Sequence, residues 1–173
     1  RALSSFGDVR RALATGDRRE IPLSTEALRD AVFASALASY AQGFDLLKGA
    51  DDEHHWSIDR VEVARIWTGG CIIRAKVLDR LMEVLGEADG PLLAPGLASD
   101  FDARLEGWRK TVGAATGAGH LVPAMAASLT WWEQLSTGVG TARVIQAQRD
   151  RFGHHTFRRV DAPEVVAHDD WEP

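Results

Sequence analysis

The sequence predicts an all-α fold that ends in an extended tail. Apolar residues recur at spacings of three and four along most of the chain, which is the period of one helix face. Serine, proline and glycine residues, which commonly begin or end helices, separate these periodic segments. No segment alternates apolar and polar residues in the manner of a half-buried strand. We therefore expect a helical domain over residues 1–153 and a tail over residues 154–173.

The first long helix is expected to begin after Ser24, which follows Pro22 and is a residue type that caps helices. The polar stretch 51–55 interrupts the apolar pattern, so we expect the helix to end there. A second helix should begin at Ser57, with Asp59 in the first turn, where the helix dipole favours negative charge. The expected apolar face of the first helix comprises Leu28, Val32, Ala36, Leu37, Tyr40, Phe44 and Leu47.

Glycine and proline residues divide the middle of the chain. The pair Gly69-Gly70 permits a bend, after which the apolar stripe resumes. Residues 90–96 are expected to form a loop, and Ser99 should cap the helix that follows it. The stripe after the glycine pair comprises Ile72, Ala75, Leu78, Met82 and Leu85.

Two further helices are expected before the tail. Pro123 suits the first turn of one of them, where a missing N–H is tolerated. The last helix should run from about Thr141 to Phe152, with Gly153 as its C-cap. The six tryptophans stand at helical spacing, which favours a place in the core over a stacking surface.

Composition and charge narrow the functional classes. A chain of 173 residues with 45% hydrophobic residues can bury one ordinary core. The net charge of −5 argues against general nucleic-acid binding, and no stretch approaches the roughly 18 apolar residues of a membrane span. The single cysteine, Cys71, excludes an intrachain disulfide and indicates a reducing, cytoplasmic setting. Because the chain begins at Arg1 and not at a methionine, we expect further sequence upstream.

A basic cluster is the most distinctive local feature. Between residues 143 and 159, five arginines accompany one acid, Asp150, which gives a local net charge of +4. Such a cluster could hold a small anion, although composition alone favours solvated surface arginines. His154 and His155 directly follow the last helix, where a histidine could donate to phosphate or be an incidental surface residue. The cluster consists of Arg143, Arg149, Arg151, Arg158 and Arg159.

Common cofactor and catalytic signatures are missing from the sequence. It contains no glycine-rich dinucleotide loop after a strand, no Walker loop and no distinguishable serine, histidine and aspartate set. His54 and His55 are adjacent, so their side chains diverge on a helix, and no third ligand lies at a characteristic spacing. We therefore expect no metal site.

Three segments, taken in order, resemble the C-terminal helical domain of 6-phosphogluconate dehydrogenase (decarboxylating). They are SYAQGF at 39–44, WTGGCIIR at 67–74 and IQAQRDRFGHHT at 145–156. The likeness extends over essentially the whole chain, from Arg1 to Trp171. The resemblance implies an enzyme that oxidises and decarboxylates 6-phosphogluconate to ribulose 5-phosphate, with reduction of NADP or NAD, in the pentose phosphate pathway.

The resemblance also implies different roles for the two domains of the enzyme. In that family an N-terminal domain holds the dinucleotide, while the helical domain shapes the sugar-phosphate pocket and forms a homodimer whose tails reach the neighbouring subunits. The family's general-base lysine, its general-acid glutamate and a further phosphate-binding lysine all precede the position of Arg1. We therefore expect no catalytic residue in this chain and no turnover by this chain alone.

The resemblance assigns the substrate-binding residues. Arg149 and His155 match an arginine and a histidine that reach 6-phosphogluconate bound in the partner subunit, and Arg1 matches an arginine that grips the phosphate. Arg74 matches no phosphate ligand and is expected to pin its helix. The chain departs from the family at Arg151, where tyrosine is usual, and at His154, where alanine is usual; either change could alter the edge of the pocket.

Two other hypotheses remain open at this point. The chain could be a separate helical module for dimerisation or ligand binding that has lost the catalytic half. It could also belong to an enzyme that acts on another hydroxy acid, with the same fold and a different pocket. The upstream gene sequence would distinguish an enzyme from a module.

Overall fold

The computed structural model describes residues 6–14, 16, 19–70, 75–87, 93–138 and 140–171. Arg1, Cys71 and Arg74 lie outside these ranges. The described residues are mainly helical, which confirms the predicted all-α class. The chain forms two compact units, Arg1–Trp132 and Glu133–Pro173. The predicted functional division at residue 153 stays a prediction.

The first unit is built from helices joined by short connections. The helices that begin in it are α1 (Gly7–Ala12), α2 (Thr25–His54), α3 (Arg60–Thr68), α4 (Val77–Glu87), a 3-10 helix (Ala94–Leu97), α5 (Ala98–Asp102), α6 (Leu105–Gly117) and α7 (Pro123–Ser136). In the described part of the chain, no helix is both long and apolar enough to cross a membrane.

Helix α2 is the central element of the first unit. Ser24 caps it as predicted, because the Ser24 hydroxyl accepts a hydrogen bond from the Ala27 amide at 3.2 Å. The predicted apolar face is partly wrong, since Leu28 and Val32 are 46% and 53% exposed. Small residues occupy much of the buried face, which comprises Ala27, Ala31, Ala34, Leu37, Ala38, Ala41 and Phe44.

The small residues allow helix α6 to pack closely against α2. A Cβ added at Gly107 of α6 would lie 2.8 Å from Asp30 Oδ2 and 3.2 Å from Ala27 Cα. The buried Thr111 hydroxyl donates to the Ala27 carbonyl at 3.0 Å, which ties the two helices at the same level. Short side chains therefore determine this contact. The predicted apolar face of α2 consists mainly of large residues, which is why it differs from the buried face.

Helix α2 ends at His54, inside the stretch 51–55 where its end is predicted, but the predicted start of the next helix is wrong. Asp51 Oδ1 accepts a hydrogen bond from the Ile58 amide at 3.1 Å across the turn that follows α2. Within that turn Ser57 has a φ of 59° and does not cap a helix. Asp59 is the cap of α3 instead, because its carboxylate accepts from the Glu62 amide at 2.9 Å.

The single helix predicted from Ser99 is divided in two. Ser99 lies inside α5, and α6 begins only at Leu105. The turn between them tightens because the Arg104 amide bonds the Phe101 carbonyl at 3.0 Å. The Arg104 guanidinium also donates to the Asp100 carbonyl at 2.7 Å, which stabilises the break.

Aromatic residues fill the core of the first unit. The Phe101 ring is stacked on the Trp132 ring with centroids 4.4 Å apart, and Trp108 lies 6.1 Å from Phe101. Trp108 and Trp132 are buried, as the spacing predicted, whereas Trp56 is 61% exposed.

The second unit contains helix α8 (Ala142–Gly153) and a short antiparallel hairpin. The hairpin pairs β1 (Phe157–Arg158) with β2 (Val166–Ala167), so that Phe157 faces Ala167 and Arg158 faces Val166. The sequence predicts an extended tail here and shows no strand pattern. Strands of two residues are too short to show alternation, and the Arg158 guanidinium closes the connection by donating to the Pro163 carbonyl at 3.0 Å.

Candidate anion-binding site

The end of helix α8 determines where the candidate site residues lie. The predicted C-cap at Gly153 is off by one residue, because Gly153 is still helical and His154 adopts the left-handed conformation with a φ of 51°. The His154 amide bonds the Asp150 carbonyl at 2.8 Å. Thr156 is also left-handed, with a φ of 59°. Two non-glycine residues in this conformation within three positions require support from outside the loop.

Asp150 supplies that support. Its side chain is fully buried, and Oδ1 accepts hydrogen bonds from the Thr156 amide at 2.8 Å and from His168 Nδ1 at 2.9 Å. Oδ2 accepts from the Asp169 amide at 3.1 Å and from the indole N–H of Trp171 at 2.8 Å. We call these five residues the Asp150 cluster. It joins the last turn of α8 to both the loop after the helix and the distal tail.

The environment of Asp150 keeps the carboxylate charged. Burial by itself raises the pKa of this carboxyl, because a charge loses solvation. The hydrogen bonds from His168, Trp171, Asp169 and Thr156 outweigh that effect and hold the pKa well below its usual value of 3.8. The ionised group is therefore the form that ties the tail to the helix.

Arg149 and His155 line one shallow depression, on the exposed side of α8. The depression has a volume of about 400 Å³, and its other lining residues are Ile145, Gln148, Phe152 and Gly153. Both basic side chains are exposed, and among the described residues no side chain or carbonyl pairs with the Arg149 guanidinium. Two of the three residues that the family resemblance assigns to substrate, Arg149 and His155, thus lie together.

His155 lies close to the helix backbone. A Cβ added at Gly153 would be 3.0 Å from His155 Cδ2 and 3.1 Å from Nε2. Thr156, the next residue, is held on both sides, because its amide donates to Asp150 and its carbonyl accepts from the Gln146 side chain. The imidazole is therefore positioned by a fixed loop and by the absence of a side chain at Gly153.

The other arginines of the basic cluster do not converge on this depression. Arg143, Arg158 and Arg159 line a second one together with Trp171. Arg158 is occupied with the Pro163 carbonyl, and Arg159 forms an ion pair with Asp161. The five arginines that are close in sequence are therefore divided between different surfaces. Of these five, Arg149 alone lines the depression that contains His155.

The two departures from the family pattern both contact the tail. Arg151 donates to the Trp171 carbonyl at 3.1 Å. The His154 ring is stacked on the His168 ring, with centroids 4.0 Å apart and an interplanar angle of 25°. Neither side chain lines the depression of Arg149 and His155. Their contacts fasten the same tail residues that Asp150 binds.

The remaining sequence candidates contribute nothing further to this site. Arg1 lies outside the described residues. His54 is stacked on Trp56 with ring centroids 4.7 Å apart. Within the described ranges, no group of three metal-ligating side chains comes together.

Sequence reasoning missed the role of Asp150, which it treated only as the one acid in a basic cluster. A signal was present, because a lone carboxylate in the last turn of a helix is unfavourable to the helix dipole. A residue in that position needs other donors, and the tail supplies them.

The fold and the site define a helical domain in which an arginine and a histidine lie side by side in one exposed depression. The family described as "6-phosphogluconate dehydrogenase, C-terminal domain" matches residues 1–171. The chain belongs to this family, and the predicted resemblance is confirmed.

Individual relatives agree with this assignment. The chain is 41% identical over 149 residues to the "6-phosphogluconate dehydrogenase, decarboxylating 3, chloroplastic" of Arabidopsis thaliana, covering 83% of this chain and 30% of that protein. It is 34% identical over 163 residues to the "6-phosphogluconate dehydrogenase, decarboxylating" of Treponema pallidum, covering 92% and 33%. A solved structure of Plasmodium falciparum 6-phosphogluconate dehydrogenase matches with a TM-score of 0.82 and 31% identity, over 98% of this chain and 38% of that one. The chain thus spans about a third of the length of these relatives.

Proposed function

We propose that this chain is the C-terminal part of an NADP-dependent 6-phosphogluconate dehydrogenase, which converts 6-phosphogluconate to ribulose 5-phosphate and carbon dioxide in the pentose phosphate pathway. The relatives carry that name, and the Plasmodium structure is reported with NADP+ and with 6-phosphogluconate. The observation that carries the proposal for this chain is the placement of Arg149 and His155 in one depression. In this role the chain binds the phosphosugar and contributes to assembly.

The chemistry of the two side chains suits a sugar phosphate. A guanidinium can donate two parallel N–H groups to phosphate oxygens, and an imidazole can donate a third bond. Each charge-assisted bond contributes roughly 1.5–3 kcal/mol where water is excluded. Binding energy at the phosphate end can orient the reacting carbons at the other end of the substrate.

Exclusion of water requires a second surface over the depression. Arg149 and His155 are exposed in the single chain, and Ile145 and Phe152 beside them are 59% and 87% exposed. Apolar side chains at the rim of a charged depression favour burial against another protein surface. We therefore propose a homodimer in which this face of α8 covers the substrate bound by the partner.

We propose that NADP binds mainly to the part of the complete protein that this chain does not span. When bound, the nicotinamide accepts the hydride that the substrate loses. Among the described residues, no strand leads into a glycine-rich loop that would fit the pyrophosphate. The lysine and glutamate that the resemblance assigns to acid and base chemistry also lie outside the chain, so we propose that the isolated 173-residue chain does not reduce NADP. The cytoplasm remains the proposed location, with cell fractionation as its test.

The test uses the complete protein that contains this chain. Arg149→Ala should raise the KM for 6-phosphogluconate by about tenfold or more, as expected for the loss of a charge-assisted bond to phosphate. Arg143→Ala is the matched control, because Arg143 lies on the same helix and lines the other depression. Equal KM values for the wild type and Arg149→Ala would refute the assigned role. Absence of 6-phosphogluconate-dependent NADP reduction in the complete protein would favour the non-catalytic module or another hydroxy acid.

A further inference from the structure

Asp150 lies directly beside one proposed substrate ligand in sequence and near the other in space. It follows Arg149 in the last turns of α8, and its Oδ1 accepts the amide of Thr156, the residue after His155. The carboxylate thus closes a short loop that contains His155. Because Asp150 is fully buried, it cannot itself reach a ligand in the exposed depression.

The loop adopts a conformation that its sequence does not favour. His154 and Thr156 both have positive φ values, and neither is a glycine or an asparagine. The Asp150 carboxylate and the Gln146 side chain hold the two backbone polar groups of Thr156. Without the carboxylate, the loop could relax to ordinary backbone angles and carry the imidazole away from Gly153.

The same carboxylate fixes the distal tail. His168, Asp169 and Trp171 donate to it, and Arg151 adds a bond to the Trp171 carbonyl. Together with the Thr156 amide, these donors engage both carboxylate oxygens of Asp150. Asp150 is buried and bonded to the tail, whereas the Arg149 side chain next to it in sequence is exposed to solvent.

We propose that Asp150 is a positioning residue, which holds the loop after α8 in the conformation that places His155 beside Arg149 for a phosphorylated sugar acid. The inference rests on the proposed function of these two residues. It assigns to Asp150 an effect on substrate binding, beyond its effect on the stability of the tail.

The test measures the kinetics of Asp150→Asn in the complete protein, with 6-phosphogluconate and NADP varied separately. Asparagine keeps the shape of the aspartate side chain, but its NH2 group is a donor. It would therefore face either the donors that bind Oδ1 or those that bind Oδ2, and those hydrogen bonds would be lost. We expect the KM for 6-phosphogluconate to rise by about fivefold or more, approaching the effect of Arg149→Ala, while the KM for NADP stays within about twofold. A purely structural role would reduce the amount of active enzyme, and so kcat, without changing either KM.

Two further variants complete the design. Asp170→Asn makes the same chemical change at an exposed carboxylate of the tail, and should leave both KM values unchanged. Trp171→Phe removes one donor to Asp150 and keeps an aromatic ring, so it should raise the KM for 6-phosphogluconate by a smaller factor than Asp150→Asn. If Asp150→Asn does not fold, Trp171→Phe decides the question.

The outcomes separate this inference from the proposed function. If Arg149→Ala raises the KM for 6-phosphogluconate but Asp150→Asn and Trp171→Phe do not, the positioning role is overturned and the proposed function stands. If Arg149→Ala itself has no effect, the proposed function fails, and the positioning role fails with it. A rise for Arg149→Ala, Asp150→Asn and Trp171→Phe, without one for Asp170→Asn, supports both.

Discussion

The Asp150 carboxylate accepts the indole N–H of Trp171 at 2.8 Å, so the last turn of α8 is bonded to a residue 21 positions further along the chain. The same group binds the Thr156 amide only six positions away. One buried charge therefore determines both a local turn and the return of the tail. This arrangement makes the second unit sensitive to the ionisation of a single side chain.

Acid should release the tail. Folding lowers the pKa of Asp150 below its usual value of 3.8, so the unfolded state binds more protons than the folded state in acid. The stabilisation is therefore complete above about pH 4 and is lost as the pH falls further through the folded pKa. Hydrogen-exchange protection of the Thr156 and Asp169 amides, corrected for intrinsic rates, should decrease below that pH.

A matched variant shows whether Asp150 is the responsible group. Asp150→Asn cannot ionise, so its protection should be low at neutral pH and should depend little on acid. A decrease in protection with the same midpoint in Asp150→Asn would assign the transition to another carboxyl group.

Gly153→Ala should affect substrate binding without reducing stability. A Cβ at this position would lie 3.0 Å from the His155 ring, which must then move by a few tenths of an ångström. Alanine is a better helix former than glycine by about 1 kcal/mol, so the thermal midpoint should not fall. We expect a several-fold higher KM for 6-phosphogluconate, measured in the complete protein.

Gly49→Ala is the control for that experiment, because Gly49 is helical and has no neighbour within 4 Å of an added Cβ. It should leave the KM unchanged. An unchanged KM in Gly153→Ala would show that the contact of the His155 ring with the helix backbone has no part in binding.

The helix pattern was largely predictable from the sequence because periodicity and capping are local. Ser24 and Pro123 mark helix starts that the structure retains. Asp59, and not Ser57, caps α3, and Ser57 lies in a turn with positive φ that is bridged by the bond between Asp51 and the Ile58 amide. Local residue preferences do not show this turn. The Asp150 cluster depends in the same way on donors up to 21 residues distant, which no local pattern reveals.

The candidate site was predictable only through family resemblance. The basic cluster comprised five arginines, and nothing in its composition separated Arg149 from Arg143 or Arg158. The structure separates them because helix α8 places Arg143 and Arg149 in different depressions. The count of arginines in a segment therefore does not show which of them share a depression.

Gly107→Ala should destabilise the first unit. The added Cβ would lie 2.8 Å from Asp30 Oδ2 and 3.2 Å from Ala27 Cα, and the backbone of α2 cannot move without disturbing the bond between Thr111 and Ala27. Overpacking of this kind lowers the free energy of unfolding by about 1–3 kcal/mol. Gly113→Ala, on the same helix with open space around it, should be neutral or stabilising in urea unfolding. Equal stabilities of the two variants would contradict the close packing of α2 and α6.

Phe152→Asp should weaken the proposed homodimer. Phe152 is 87% exposed at the rim of the depression that holds Arg149 and His155, and an aromatic ring that is buried on association commonly contributes a large share of the binding energy. A charge at this position would have to be desolvated in the interface, so the dissociation constant from sedimentation should rise by about tenfold or more. Leu121→Asp, at a leucine that is 83% exposed in the other unit, is the control and should have a smaller effect. A wild-type protein that remains monomeric at high concentration would refute the dimer, and equal effects of the two substitutions would exclude this face of α8 from the interface.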